Sequence, residues 1–338
     1  MAHQVKIAFA GIAHNRSDSY ARALLELPNS KLSGIYEEDW KAGRRFAKKY
    51  STRYFNRYDD LLNSDAEAVV ITAETSKHYN LAIQTADAGK HILCEKPIAL
   101  NLKQAKAMSA KARRRKTVFQ MCYVLRYHTP SALVKQLIDN GQAGKVRALI
   151  GTNKLNALTT LAAGWMTARS LSGGGAVMDH TVHLVDLFRW YTGSEVSQVY
   201  TEIGPNINSI GVEDNFLTTT VLKDGAIGHI DGSWSYSAGF PSWGDLTLEV
   251  TGTKGAVELD AFRQNVHFFG MSAPEAKLRY EYYGCNADKE MIRSFLACII
   301  NNEAPIASAN DGIKGLEVTL ASYESAKKHE VVRIGKSS

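Results

Sequence analysis

The chain reads as an α/β protein, with a doubly wound parallel sheet over residues 1–123 and an α+β half over 124–338 built on a large, mostly antiparallel sheet. Three observations predict this. Short β-branched runs alternate strictly with helical patterns up to Tyr123, the grammar of right-handed βαβ units and of a parallel sheet covered on both faces. Beyond Tyr123, strand-like segments follow one another across turn signals with little helix between them, which predicts successive hairpins. At 338 residues the chain is also longer than one core usually supports, so two domains are expected.

In order, the runs Val5–Ala10, Leu32–Tyr36, Ala68–Thr72, His91–Cys94 and Val118–Tyr123 are the candidate strands of the first half. Tyr20–Leu27, Lys41–Tyr50, Lys77–Ala88 and Leu102–Arg115 are the helices between them. The second half opens with a helix over Pro130–Asn140, a Gly141-x-x-Gly144 connection and a strand over Val146–Asn153. An apolar helix over Gly175–Tyr191 follows. Strands are then expected at Val199–Ile203, Asn215–Leu222, Ala226–Trp234, Leu246–Thr251, Ala256–Leu259 and Val266–Phe269, separated by turns such as Lys223-Asp-Gly225 and Thr253-Lys-Gly255. Helices over Asp288–Ile300 and Ile313–Lys328 and a short strand around Val331–Ile334 close the chain.

Hydrophobic content of 45% with 22% charged residues is that of a soluble globular protein. The sequence has no apolar run of eighteen residues, and its N-terminus leads straight into a strand, so no membrane span or signal peptide is expected and a cytoplasmic location is. Cys94, Cys122, Cys285 and Cys298 lack metal-ligand spacing and read as reduced, mostly buried thiols. The net charge of +6 invites a nucleic-acid partner. Its distribution argues against one: the dense run Lys111–Lys116 ends a helix, where cations complement the dipole, and no aromatic-interleaved basic stretch accompanies it.

Chemistry concentrates in four places. On the Gly175–Tyr191 helix, Asp179, His183 and Asp186 recur at spacings of four and three, which stacks them on one face. A carboxylate beside an imidazole can move protons near neutral pH, or can be a hydrogen-bonded core cluster. The glycines Gly173 to Gly175 before them imply a close backbone approach, to a ligand or to another segment. After the first strand, Gly11-Ile12-Ala13-His14-Asn-Arg16 leads into a helix. A dinucleotide-binding turn wants three glycines there so that backbone amides and the helix N-terminus reach a pyrophosphate, and only Gly11 is present. His14 either touches phosphate or is an exposed loop histidine. The second strand ends in Glu37-Glu38-Asp39, carboxylates that accept from a ribose diol and repel a 2′-phosphate, which points to NAD over NADP. In Glu95-Lys96-Pro97 the proline restricts the lysine's backbone and places its side chain.

Gly89 to Pro97 together with Ser172 to Asp186 resembles the glucose-fructose oxidoreductase and inositol dehydrogenase family, often called Gfo/Idh/MocA. The likeness runs along almost the whole chain, through Thr72-Ala73-Glu-Thr75-Ser-Lys-His78, Tyr123-Val-Leu-Arg126, Val250 to Gly255 and the closing helix. It implies a Rossmann domain and a nicotinamide enzyme that moves a hydride between NAD and a secondary hydroxyl or keto group of a sugar, cyclitol or related polyol. Lys96 then contacts nicotinamide ribose and substrate, while Asp179 and His183 flank the reacting hydroxyl. Gly11, Ile12, Ala13, His14, Glu37, Thr72, Ala73, Thr75, His78 and Glu95 line the cofactor. Arg126 meets a substrate or cofactor oxygen, or forms an interdomain salt bridge. Trp165 stacks on nicotinamide or sugar, or packs in the core; His180 and Trp234 have similar claims, and Asp186 is structural. The eroded glycine turn and Thr75, in place of the family's usual proline, are departures that bear on phosphate geometry. An apolar cluster of Trp234, Tyr236, Phe240 and Trp243 on the second sheet implies a homodimer or homotetramer through that face. Two alternatives share this scaffold: an NAD-dependent enzyme using transient oxidation, and a catalytically silent cofactor-binding homologue.

Overall fold

In the computed structural model of the chain, the apolar run Val5–Ala10 forms strand β1 near the middle of a six-stranded parallel sheet. Residues 3–156, 164–237, 240, 244–262, 265–269, 278–282 and 284–335 are described, the strands 265–269 and 278–282 by their backbone alone. The other strands of this sheet are β2 (Ser30–Tyr36), β3 (Tyr54–Phe55), β4 (Ala68–Ile71), β5 (His91–Cys94) and β6 (Phe119–Met121), in the order β3-β2-β1-β4-β5-β6. Helices α1 (Ser17–Glu26), α2 (Trp40–Lys49), α3 (Tyr58–Leu62), α4 (Thr75–Asp87) and α5 (Leu102–Arg115) connect them. Every residue of β4 is buried, as a parallel sheet sandwiched between helices requires. The strand order reverses between β1 and β4, and a ligand crevice is expected at the carboxyl ends of those two strands.

Two compact units emerge, one comprising residues 1–124, 170–173 and 287–316, the other 125–169, 174–286 and 317–338. Residues 287–316 group with the first unit because α1 packs against the helix Ala287–Asn301 and Met121 N–H donates to Ala307 C=O at 2.8 Å.

The second unit is built on a seven-stranded sheet of β7 (Val146–Asn156), β8 (Val196–Ile203), β9 (Asn215–Leu222), β10 (Ile227–Tyr236), β11 (Gly244–Gly252), β12 (Ala256–Asp260) and a last strand, Val332–Arg333. Neighbours are antiparallel except β7 and β10, which pair in parallel. A separate two-stranded ribbon joins Asn265–Phe269 to Leu278–Tyr282. One face of the large sheet packs on the helix Ala176–Thr192, whose Leu184 and Phe188 are fully buried, with α6 (Thr129–Asp139) beyond it. Along β9, Phe216, Thr218, Thr220 and Leu222 point inward and alternate with outward Leu217, Thr219 and Val221.

Of the expected outward aromatic cluster, Trp234 turns the other way. Trp234 is only 1% exposed and faces the helix. Tyr236 and Phe240 stack at 3.6 Å between ring centroids and are half-buried, and Trp243 lies outside the described residues. Period-two alternation along β10 sends Trp234 inward with Ile230, which the aromatic composition alone did not reveal. The outward face instead carries Ile150 and Leu217, each about half exposed, together with Tyr200 and Ile227. Among the described residues no helix is long and apolar enough to cross a membrane, no group of acidic, histidine or cysteine side chains could hold a metal ion, and all four cysteines are free.

Candidate active site

Gly11 does what the first glycine of a dinucleotide turn must do. Its φ of +80° is open to glycine, and a Cβ there would lie 2.4 Å from Ala73 Cβ, so the loops after β1 and β4 cross in contact. Thr72 staples the crossing: its hydroxyl donates to Gly11 C=O at 2.6 Å and its own C=O accepts from His14 N–H at 2.9 Å. Glu37, at the end of β2, accepts from Ile12 N–H at 2.9 Å and from Asp39 N–H at 3.1 Å, which ties the acidic strand end to the turn. A cavity of about 310 Å³ opens beside it, walled by Gly11, Glu37, Glu38, Ala73, Glu74 and Lys77. Lys77 pairs with Glu38 at 2.8 Å and with Glu74 at 3.0 Å along its edge.

The missing third glycine has a use of its own. Arg16 turns its guanidinium to Asp288, at 2.8 Å, and Ser19 donates to the same carboxylate at 2.5 Å, so this position fastens α1 to the helix Ala287–Asn301. His14 is buried, not exposed, with Nδ1 3.6 Å from Glu95 Oε1. Glu95 is buried as well. It accepts from Tyr20 O–H at 2.5 Å and from Lys96 N–H at 3.0 Å, while burial lifts the Tyr20 phenol well above its ordinary range and keeps it a donor. Glu95 is therefore committed to fixing the backbone from which Lys96 extends. The Lys96–Pro97 bond is cis. His78 lies between Pro97 C=O at 2.9 Å and Ala73 C=O at 3.0 Å and, as neutral imidazole, donates to one of them; burial pushes it below the usual value although both carbonyls pull the other way. Both ring nitrogens thus face backbone carbonyls of the loops after β4 and β5.

These residues fit a dinucleotide. The cavity lies at the topological switch point, acidic side chains stand where a ribose diol would, and α1 starts without a side-chain cap, which leaves its dipole for a phosphate. The Thr75 hydroxyl, at the start of α4, is buried with no hydrogen-bond partner among the described residues, as expected of a group that a ligand satisfies. Glu37→Ser should raise the preference for NADP relative to NAD about tenfold or more, read from the two dissociation constants, because it removes a carboxylate that would repel a 2′-phosphate.

In the second unit the helix Ala176–Thr192 presents Asp179 in its first turn, where the dipole favours a carboxylate, and His183 one turn on. Asp179 Oδ2 accepts from Trp234 Nε1–H at 3.1 Å. His180 is buried, its Nδ1 3.8 Å from the same oxygen and its ring edge-on to Trp234. His183 is half-buried in a stretch whose neighbours are nearly all buried. Trp165 lies in a short 3₁₀ turn, Trp165–Thr167, and is half-buried.

The glycines approach this unit's own chain. A Cβ on Gly175 would stand 1.9 Å from Glu213 C=O, and one on Gly174 1.8 Å from Tyr323 Oη. Glu213 clamps the helix start: its carboxylate accepts from Gly175 N–H at 2.7 Å, Tyr323 O–H at 2.5 Å and Arg169 at 3.0 Å, and its C=O accepts from Ala176 N–H. Sequence reading missed Glu213. Its only signal was an acidic pair, Glu213-Asp214, ahead of a strand in an otherwise uncharged stretch.

Arg126 and Asp186 form a bidentate pair at 2.8 and 2.6 Å, both buried and both in the second unit, so the expected interdomain bridge is an internal one. Asp186→Ala would leave a buried guanidinium without that partner and should cost about 3–5 kcal/mol of stability, measured by denaturant unfolding. A loss below about 1 kcal/mol would show that the pair is not structural.

Residues 5–123 match the model of the oxidoreductase family with an NAD-binding Rossmann fold, and residues 131–258 that of the GFO/IDH/MocA C-terminal domain. The scyllo-inositol 2-dehydrogenase (NAD(+)) of Bacillus subtilis is 26% identical over 349 residues, spanning 99% of this chain and 97% of that one. The glucose-6-phosphate 3-dehydrogenase of the same organism is 25% identical over 94% of each. The crystal structure of GenD2 from gentamicin A biosynthesis in complex with NAD superposes with a TM-score of 0.89 at 23% identity, covering 99% of this chain and 98% of the other, which shows the shared fold. With both halves matched, the chain belongs to the GFO/IDH/MocA family of oxidoreductases with an NAD-binding Rossmann domain.

Proposed function

We propose that this protein is a dehydrogenase or reductase that moves a hydride between NAD and a secondary hydroxyl or keto group of a sugar, cyclitol or related polyol. The observation that carries the reading is one helix presenting a hydrogen-bonded Asp179 and, one turn away, a half-buried His183, in a chain whose other half has the NAD-binding fold. The full-length relatives act on a cyclitol and a sugar phosphate by name, which supports the substrate class.

NAD, when bound, supplies the acceptor for the hydride that leaves the alcohol carbon. His183, as neutral imidazole, takes the hydroxyl proton in the same reaction. Lys96, on a backbone held by Glu95, stabilises the negative charge that develops on oxygen. Asp179 orients the imidazole or holds a neighbouring hydroxyl. Arg126, committed to Asp186, supports the helix rather than the substrate, and Trp165 is a wall of the substrate site.

A screen at 340 nm of monosaccharides, deoxy sugars, sugar acids and inositols, with NAD and NADP in parallel, tests this. Accumulation of reduced cofactor with at least one polyol is expected. Product without net NADH would replace the proposal with transient oxidation, and no turnover with any of them would remove it.

The same reading supports a cytoplasmic enzyme, consistent with four free thiols, and a homodimer or homotetramer that covers Ile150, Leu217, Tyr200 and Ile227 on the outward face of the sheet. Sedimentation of a strict monomer at micromolar concentration would contradict the assembly.

A further inference from the structure

We propose that Trp234 is a positioning residue for Asp179, holding that carboxyl in its ionised, accepting state throughout the reaction; the role in turnover rests on the function proposed above. An indole N–H can only donate, and Trp234 aims it at Asp179 Oδ2 from 3.1 Å inside a site where the indole is 1% exposed. A hydrogen bond to a charged acceptor is roughly twice as strong as one to a neutral group, so the contact favours the carboxylate over the acid.

The geometry is imposed from elsewhere in the chain. Two consecutive residues fix both sides of the contact. Glu213 clamps the start of the helix that carries Asp179 through Gly175 N–H and Ala176 N–H. Asp214 holds the strand that carries Trp234, its C=O accepting from Trp234 N–H at 2.7 Å. Asp214 is itself fixed: burial opposes its charge, but the amides of Ile207 and Asn208 and the Asn208 and Asn215 side chains hold it below the usual carboxylate range. Asn208 also donates to Trp234 C=O at 2.9 Å, and the His180 ring, 6.5 Å away and edge-on, limits rotation of the indole.

The ionisable groups near Asp179 among the described residues of its unit include His180, His183, Glu213 with its partners Tyr323 and Arg169 at the helix start, and the Arg126–Asp186 pair further along. The strands packed on the helix, β7, β9 and β10, turn no ionisable side chain toward it among the described residues. Trp234 is a neutral donor set to bias that carboxyl. In the forward direction the hydroxyl proton goes to His183, and Asp179 carries no proton at any stage.

Trp234→Phe keeps the ring and deletes the donor. The expected result is a fall in kcat of about tenfold or more with an unchanged KM for NAD, and an Asp179 carboxyl, followed through its side-chain ¹³C resonance, that titrates about one pH unit higher, since the charged form loses a hydrogen bond. A purely structural role would lower the melting temperature and leave that titration in place. Independently of turnover, the chain labelled with ¹⁵N-tryptophan should show one of its five indole resonances moving with pH, and Asp179→Asn should abolish that movement. No indole resonance titrating, or one that titrates equally in Asp179→Asn, overturns the pairing even if Trp234→Phe fails to fold. Normal wild-type turnover with an unmoved Trp234→Phe overturns this assignment alone, whereas a wild-type protein that reduces NAD with no polyol overturns the catalytic role together with the proposed function.

Discussion

Replacing His183 by alanine is expected to lower kcat by about 10²- to 10⁴-fold, the range a positioned general base contributes, with fold and NAD affinity retained. The side chain is half-buried on a helix whose neighbours pack the interior, so those neighbours hold the helix in place when it is truncated. Lys96→Ala should behave in parallel, because Glu95 holds the Lys96 N–H from the backbone and that bond survives truncation of the side chain. A melting temperature within a few degrees of wild type separates chemistry from folding. Near-normal turnover in either variant, under conditions where chemistry limits the rate, would remove the residue from the mechanism.

The second large effect is on stability. Glu213→Ala would strand Gly175 N–H and Tyr323 O–H, each buried donor costing about 1–3 kcal/mol, so a loss near 3 kcal/mol is expected. In a protein of this size that corresponds to roughly 4 °C in melting temperature. Burial, the larger cause that lifts the Tyr323 phenol above its ordinary value, persists in the variant, so Tyr323 cannot escape the orphaned state by ionising. Glu213→Gln keeps an acceptor for Gly175 and should recover much of the loss, though not the ion pair with Arg169. Gly175→Ala attacks the same junction from the other side, since its Cβ would meet backbone oxygen at 1.9 Å and the helix start would have to move. A Glu213→Ala protein as stable as wild type would show that the helix start is held by packing alone.

Much of the fold was legible in sequence because the first sheet is made of short apolar runs bounded by turns. β1, β5, α5 and β9 match their expected bounds residue for residue, and most other boundaries shift by one to four residues. The two-residue β3 and the single-turn α3 were missed, being too short to show a period. The Leu278–Tyr282 strand was missed as well. The parallel pairing of β7 with β10 was not legible, because it joins segments about eighty residues apart within an otherwise antiparallel sheet.

At the site, helical spacing was enough to put Asp179 and His183 on one face, and a positive φ explains why Gly11 survives in an otherwise eroded turn. Partners were the hidden part. Asp179 is met from Trp234, Gly175 from Glu213 and Arg16 from Asp288, at separations of 55, 38 and 272 residues that local pattern does not encode. The three glycines posed a choice between a ligand and a neighbouring segment, and at Gly174 and Gly175 Tyr323 and Glu213 are that segment.

The most direct test of the central claim is a crystal structure of the abortive complex with NADH and a polyol identified in the 340 nm screen, measuring the distances from one substrate oxygen to Lys96 Nζ and to the His183 ring. Both should fall within hydrogen-bond reach, about 2.6–3.2 Å. If the two side chains face different cavities, or the oxygen beside one lies beyond reach of the other, the shared role of Lys96 and His183 is contradicted.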